Sequence, residues 1–542
     1  MLAADGKGLV TRVGGRRTPR PRRKTLAVPL LSITLLCCLF APAASAGAAS
    51  PDASAQGLLT RLALRQAELT AADGAAGDWF GSSVALAGDT ALVGAPGRDA
   101  GGKKEAGAAY VFVRSGGAWT LQQKLSAGDG AAGDWFGSSV ALAGDTALVG
   151  SLYHATAGKA DAGAAYVFTR SGDAWTQQQK LGAGDGAAAD WFGSSVALAG
   201  DTALVGAPGR DAAGRFWAGA AYVFTRSAGA WTQQAELAAD ALAEYDWFGS
   251  SVALSRDTAL VGARFHATAG RDDAGTAYVF VHSDGTWTQQ QELSAGDGAE
   301  GDSFGSSVAL AGDAALVGAP YHATAGKVDV GAAYVITRSS GAWTQQQELG
   351  AGDGTAQDEF GASVALSGDT ALVGALYHAS AGQADAGAAY VFIRSAGVWT
   401  QRQTLSADED GDAQDEFGSS VALAGDTALV GAPFHATAGR DDAGAAYVFL
   451  LGPAPQPRPK IAKLSPTSGT RGALVAIRGS GFGAARRTSS VKFGSKTSTK
   501  YGSWSDTQIK CRVPAHAEYG VVKVTVTTSA GRSNAMSFTV KR

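Results

Sequence analysis

Side chains able to do chemistry recur at regular places in this chain. Five aromatic–His pairs, Tyr153-His154, Phe265-His266, Tyr321-His322, Tyr377-His378 and Phe434-His435, are separated by 56, 57 or 112 residues. Imidazole binds metals at about 2.0–2.1 Å, but packed sheets stand about 10 Å apart, so groups on separate sheets converge only at a common axis. Packing of the loops that carry them is the favoured reading, and an exposed ring of His and aromatic groups is the binding alternative. Ahead of successive Phe-Gly dipeptides, Trp79, Trp135, Trp191 and Trp247 hold a position taken later by Ser303, Glu359 and Glu416. Aromatic faces stack on sugar rings; the competing role is to plug a channel or pack between neighbouring elements. These Trp, Glu and His residues are the candidate ligand contacts. Before the last Phe-Gly, Asp408, Asp410, Asp412 and Asp415 alternate around Gly411, a spacing able to fold around Ca²⁺. The loop lacks the bidentate Glu of an EF-hand, and a solvated acidic turn competes as an explanation. No cofactor is expected beyond Ca²⁺ at this one loop. Nucleophile elbows, phosphate-binding Gly-Lys-Ser/Thr loops and His-Glu-x-x-His helices are missing, so no catalytic residue is assigned and the chain reads as a non-enzyme.

These residues are placed by an internal repeat. Phe-Gly recurs with Phe at 80, 136, 192, 248, 304, 360 and 417. Each copy reads as four short strands, FGSSVALA, TALVGA, AAYVFTR and WTQQQEL, joined by tight turns such as Ala-Gly-Asp-Thr and Ser-Gly-Gly-Ala. The first two strands are small and apolar, as expected of strands buried on both faces; the fourth alternates with polar residues, as expected of an exposed edge. Aspartates five apart, such as Asp129 and Asp134, are expected to tie down the loop through side-chain to backbone bonds. The seventh copy lacks its fourth strand, whereas RQAELTAADG at 65–74 matches that strand and its loop. The predicted fold is therefore all-β: a seven-bladed β-propeller over 61–451 closed by an N-terminal strand, followed by a small immunoglobulin-like β-sandwich over 458–542.

The combination Phe-Gly-x-Ser-Val with Val-Gly-Ala-Pro (93–96, 205–208, 317–320 and 430–433) resembles the FG-GAP repeat of integrin α subunits and of many bacterial exported proteins. Leu152, Arg264 and Leu376 replace Pro in the second, fourth and sixth copies. The resemblance implies calcium sites in a loop between the first two strands. Here that loop is two residues with one Asp, too short to supply six to eight oxygens, and those sites are expected to be missing. The last segment resembles an IPT/TIG domain through Ser465-Pro466, Ser468-Gly469, Gly481-Phe482-Gly483, Phe493-Gly494, Trp504, Asp506-Thr507, Val513-Pro514 and Ser533-Asn534.

At the N-terminus Arg16, Arg17, Arg20, Arg22, Arg23 and Lys24 precede an apolar run and Ala44-Ser45-Ala46, the order of a secretory signal peptide over 1–46. A short flexible stretch (47–60) and a Pro-rich linker (452–457) complete the expected organisation. The mature chain is expected to be secreted or extracytoplasmic, at a cell surface or in a periplasm, with no membrane span and no nucleic-acid partner. Charge is partitioned: residues 458–542 carry 16 Lys and Arg against Asp506 and Glu518, a net of +14, whereas 25–457 carry 21 basic and 45 acidic residues, a net of −24. With only three Cys, a disulfide framework is excluded. These features favour a non-enzymatic binding or adhesion protein recognising an extracellular polysaccharide or protein through the propeller loop face. Self-association of the acidic propeller with the basic module is the alternative, and an enzyme acting on an extracellular polysaccharide stands third.

Overall fold

The computed structural model describes residues 64–542 except 325, 381, 408–410, 452–457, 484–485, 487–488 and 529–530. The expected leader, the stretch after it, the linker, and Asp408 and Asp410 of the acidic loop lie outside the described residues. Every regular element described is a strand, and no helix is long and apolar enough to cross a membrane.

Seven four-stranded antiparallel sheets follow one another, six of them with their strands neighbouring in chain order. The first blade comprises Ser83–Ala87, Thr90–Ala95, Ala108–Ser115 and Ala118–Leu125. In the seventh, Ser420–Ala424, Thr427–Ala432 and Ala445–Leu450 are completed by the N-terminal strand Leu64–Leu69, with Leu69 opposite Ala446. The ring closes through side chains as well. One first-strand Ser hydroxyl per blade donates to the Phe-Gly carbonyl of the next blade: Ser83 to Gly137, Ser139 to Gly193, Ser195 to Gly249, Ser251 to Gly305, Ser307 to Gly361, Ser363 to Gly418 and Ser420 back to Gly81, all at 2.6–2.8 Å. A seven-bladed β-propeller accounts for this cyclic set of contacts.

The repeated dipeptides follow from this blade-to-blade seam. A Cβ on Gly94 would lie 2.0 Å from the Gly137 carbonyl oxygen, and one on Gly81, at φ +96°, would lie 2.3 Å from that of Ala445. Only Gly allows both the close approach and the left-handed backbone. The Phe beside it fills the blade interface: Phe80 is fully buried and meets Tyr110 and Phe112 edge-on at 5.4 and 6.1 Å.

One strand expectation is corrected and another is refined. The second strands are buried along their length, but the first strands are largely intermediate in exposure, as in Ser195–Ala199 and Ser307–Ala311. They are the outermost members of each sheet on the ring's inner side, where small side chains leave part of the face open. The fourth strand is the expected edge and mostly exposed, but its Trp is buried in four blades (Trp175, Trp231, Trp343 and Trp399). The carboxamide of Gln123 donates to the Trp175 carbonyl at 2.7 Å and accepts from its backbone N–H at 2.8 Å. Gln179, Gln291 and Gln347 clamp Trp231, Trp343 and Trp399 in the same way. The polar side chains of this strand thus cover the ladder groups that an outer strand leaves open.

In the C-terminal part, one sheet contains Lys460–Ser465, Leu474–Ser480, Gln508–Arg512 and Tyr501–Trp504; the other is built around Gly520–Thr528 and Met536–Lys541. Their core includes Val475, Ile477, Ile509, Phe493, Val524 and Phe538. Cys511 lies in it, unpaired and buried, its thiol pushed up to about 12 by burial.

Candidate functional site

The loops before Phe-Gly and after the second strand meet at one end of each blade, where one Asp organises them. Asp134 accepts from the Ala131 N–H at 2.6 Å and pairs with His154 Nδ1 at 2.7 Å. His266–Asp246, His322–Asp302, His378–Asp358 and His435–Asp415 repeat the pair at 2.7–2.8 Å, and all five His are only 5–9 % exposed. Where His is missing, Arg98 reaches Asp78 at 3.0 Å and Arg210 lies 3.9 Å from Asp190. The Asp hydrogen bond holds His266, His322 and His378 above the ordinary imidazole pKa; His435 is raised too, against the opposing effect of burial. Each His is engaged by the Asp of its own blade.

A second carboxylate stands five residues earlier. Tyr110 donates to Asp73, Tyr166 to Asp129, Tyr222 to Asp185 and Tyr390 to Asp353 at 2.8–3.2 Å. In the first two blades Lys124 and Lys180, on the fourth strands, pair with Asp73 and Asp129 at 2.8 and 2.7 Å. Glu348 takes that place in the fifth blade, close to Asp297; burial, and then Asp297, raise its pKa.

The residue before each Phe-Gly has a left-handed backbone. Trp79, Trp135, Trp191, Trp247, Ser303, Glu359 and Glu416 all have φ of 54–56°, which is uncommon for bulky residues. A loop backbone on the preceding blade holds each one: Trp79 N–H donates to Asp442 at 3.1 Å and Trp135 N–H to Glu105 at 3.2 Å. This strained geometry turns the side chains toward adjacent blades, and they touch. Phe434, Trp79, Trp135 and Tyr153 form one train of edge-on rings at 5.0–6.4 Å. Trp191, Trp247 and Phe265 form another at 5.0–5.7 Å. Trp191 is buried; Trp79, Trp135 and Trp247 are partly buried. On the remaining blades Ser303 is buried, and Glu359 and Glu416 are partly buried. Burial, with Asp329 nearby, pushes the Glu359 carboxyl up to about 7.

The sequence reading missed the most exposed part of this surface. Phe216 stacks on Trp217 at 5.0 Å and meets Tyr245 edge-on at 5.5 Å, and Trp217 packs on Trp191 at 5.1 Å. Phe216 and Tyr245 are 43 % and 52 % exposed. Beside them the Arg264 guanidinium lies over Trp247 and Phe265 at 4.8 and 4.7 Å; among the described residues it has no carboxylate partner, and its Nε makes no hydrogen bond. The signal was in the departures from the repeat: Arg-Phe-Trp at 215–217, Glu-Tyr-Asp at 244–246, and Arg264 in place of Pro.

In five of the two-residue hairpins the single Asp is held in an ion pair. Asp89, Asp145, Asp201, Asp313 and Asp369 each pair with an Arg of the third strand at 2.5–2.6 Å, which commits the carboxylate. In the acidic loop, Asp415 Oδ2 accepts from the Asp412 N–H at 2.8 Å and pairs with His435, as the corresponding Asp does in the other four blades that carry His.

Fold and site together define a closed propeller whose loop face carries an aromatic surface, followed by a separate β-sandwich module. The chain belongs to the FG-GAP repeat proteins: that family matches residues 64–112, 119–168, 175–224, 231–280, 287–336, 343–392 and 399–449. The first match includes the N-terminal strand, so each matched unit straddles two blades. Residues 459–540 match the IPT/TIG domain. The chain is also similar to the cyclomaltodextrin glucanotransferase of Paenibacillus macerans, 42 % identical over 83 residues, which is 15 % of this chain and 11 % of that protein.

Proposed function

We propose that this is a secreted or cell-surface, non-catalytic binding protein that recognises an extracellular polysaccharide through the aromatic face of its propeller. The observation that carries the reading is the pair of exposed rings Phe216 and Tyr245 packed on the partly buried Trp217, continuous with Trp191 and Trp247. Flat rings with open faces suit the apolar faces of sugars. The resemblance of 83 residues to a glucanotransferase is in keeping with a glycan-directed role. The basic C-terminal module serves as spacer or anchor, and export follows from the basic–apolar–small order at the N-terminus.

The test is binding of the full chain to an array of cell-envelope and host-surface polysaccharides, beside F216A and Y245A. Both side chains are substantially exposed, so their loss leaves the blades folded. Retention that falls about tenfold in either variant, roughly 1.4 kcal/mol, supports the reading. A clean array moves the proposal to a protein partner. Salt-sensitive oligomers in sedimentation would instead favour pairing of the −24 and +14 segments.

A further inference from the structure

We propose that Asp297, His322 and Glu348 of the fifth blade form a binding site for a first-row divalent cation of the Zn²⁺ type. Their donor atoms lie within 4.8 Å of one another, with His322 Nε2 3.9 Å from Asp297 Oδ2 and 4.0 Å from Glu348 Oε1. Donors around a tetrahedral Zn²⁺ at 2.0–2.2 Å stand about 3.4 Å apart. A contraction of about half an ångström at each of these two pairs is needed, and the two carboxylates, with side chains 47 % and 37 % exposed, are placed to make it. The imidazole is already oriented: its Nδ1 is held by Asp302 at 2.8 Å, the carboxylate–His–metal arrangement that fixes the tautomer and leaves Nε2 as ligand.

The other blades supply independent support. In the second blade the corresponding place is filled by a cation of the chain itself. Lys180 Nζ sits 2.7 Å from Asp129 Oδ2 and 3.4 Å from His154 Nε2, and those two acceptors stand 3.6 Å apart. The fifth blade keeps the Asp and His but substitutes Glu348 for the Lys, so the cationic occupant is lost and a third ligand gained. In the third, fourth and sixth blades a ligand is replaced, by Arg210, Ala241 and Thr404; the seventh keeps Glu68 and His435, and the counterpart of Asp297 there, Asp410, lies outside the described residues. The imidazole selects against Ca²⁺, which takes six to eight oxygens. The site lies outside the first hairpin of the blade, where the family resemblance would put calcium.

The test is calorimetric titration of the full chain, stripped with chelator, against Zn²⁺ alone, with zinc counted by native mass spectrometry. Glu348→Lys installs the side chain that folds in the first two blades; it is expected to lose one equivalent. Asp302→Asn is expected to weaken that equivalent 10- to 100-fold. Thr404→Glu, beside Asp353 and His378 with Nε2 and Oδ2 3.9 Å apart, is expected to add one. No zinc bound by the parent, or the same number and affinity in Glu348→Lys, overturns the proposal. A zinc count unchanged in Thr404→Glu overturns the geometric argument behind it.

Discussion

Replacing Glu359 by Gln should stabilise the protein at alkaline pH and leave it nearly unchanged at acid pH. The carboxyl is pushed from 4.5 up to about 7, first by burial and then by the charge of Asp329. A carboxyl whose folded pKa is raised binds its proton more tightly in the native state, so stability falls as pH rises from the unfolded value through the folded one. At about 1.36 kcal/mol per pKa unit, a shift of about 2.5 units costs at most about 3 kcal/mol above pH 8, and little at pH 4. Gln keeps the shape and removes the charge. With an unfolding entropy of roughly 2.1 cal/mol/K per residue over a propeller of nearly 390 residues, this is about 4 °C in Tm. Scanning calorimetry of both proteins at pH 5 and pH 8.5 reads it directly. Equal shifts at the two pH values would mean a packing effect, and a lower Tm for E359Q at pH 8.5 would refute the assignment of a strained carboxylate.

The buried His–Asp pairs make a second pH-dependent contribution with the same sign. The raised His266, His322, His378 and His435 stabilise fully below about pH 6.5 and lose that contribution as pH rises through their folded values, so H378N should flatten the Tm profile between pH 6 and 9; a parent profile that rises there would contradict this. Gly94→Ala, with its Cβ 2.0 Å from the Gly137 oxygen, should lower Tm far more than Gly101→Ala, where φ is +59° but no atom lies within 4 Å; equal losses would refute the seam argument. A chain starting at residue 71 lacks the strand opposite Ala445–Leu450 and should be cut by protease in the seventh blade before the others; an unchanged cleavage pattern would contradict closure by that strand. Cys511, buried with a thiol near 12, should react with a disulfide reagent only on unfolding, and rapid labelling of the native chain would show the sandwich core to be open.

The sequence by itself determined the repeat, its four strands and the closing strand, because recurring glycines, tight-turn residues and short apolar strings are local properties. Val-Gly and Phe-Gly mark places where a backbone passes within contact of the next blade, a demand that no other residue meets. It also determined the sandwich that follows, through punctuating Gly and Pro between short apolar runs. The exposure of individual strands was not legible in the same way. An apolar string such as SVALA reads alike whether it is sandwiched or lines the inner side of a ring, and the Trp of WTQQQEL looks exposed until Gln side chains of the neighbouring blade clamp it.

For the site, the types of residue were visible but their partners were not. The spacing of 20 residues between Asp134 and His154 is silent about contact until two loops of one blade are brought together at 2.7 Å. The Phe216–Trp217–Tyr245 surface joins residues from the loops of two repeats, and the Asp297–His322–Glu348 cluster spans three separate segments of one blade. The first depends on sequence departures that a repeat consensus averages away, whereas the second uses the residues commonest at their positions in the repeat. Only the tertiary structure decided which departures meet, since side chains separated along the chain interact only after the sheets have fixed their distance and direction.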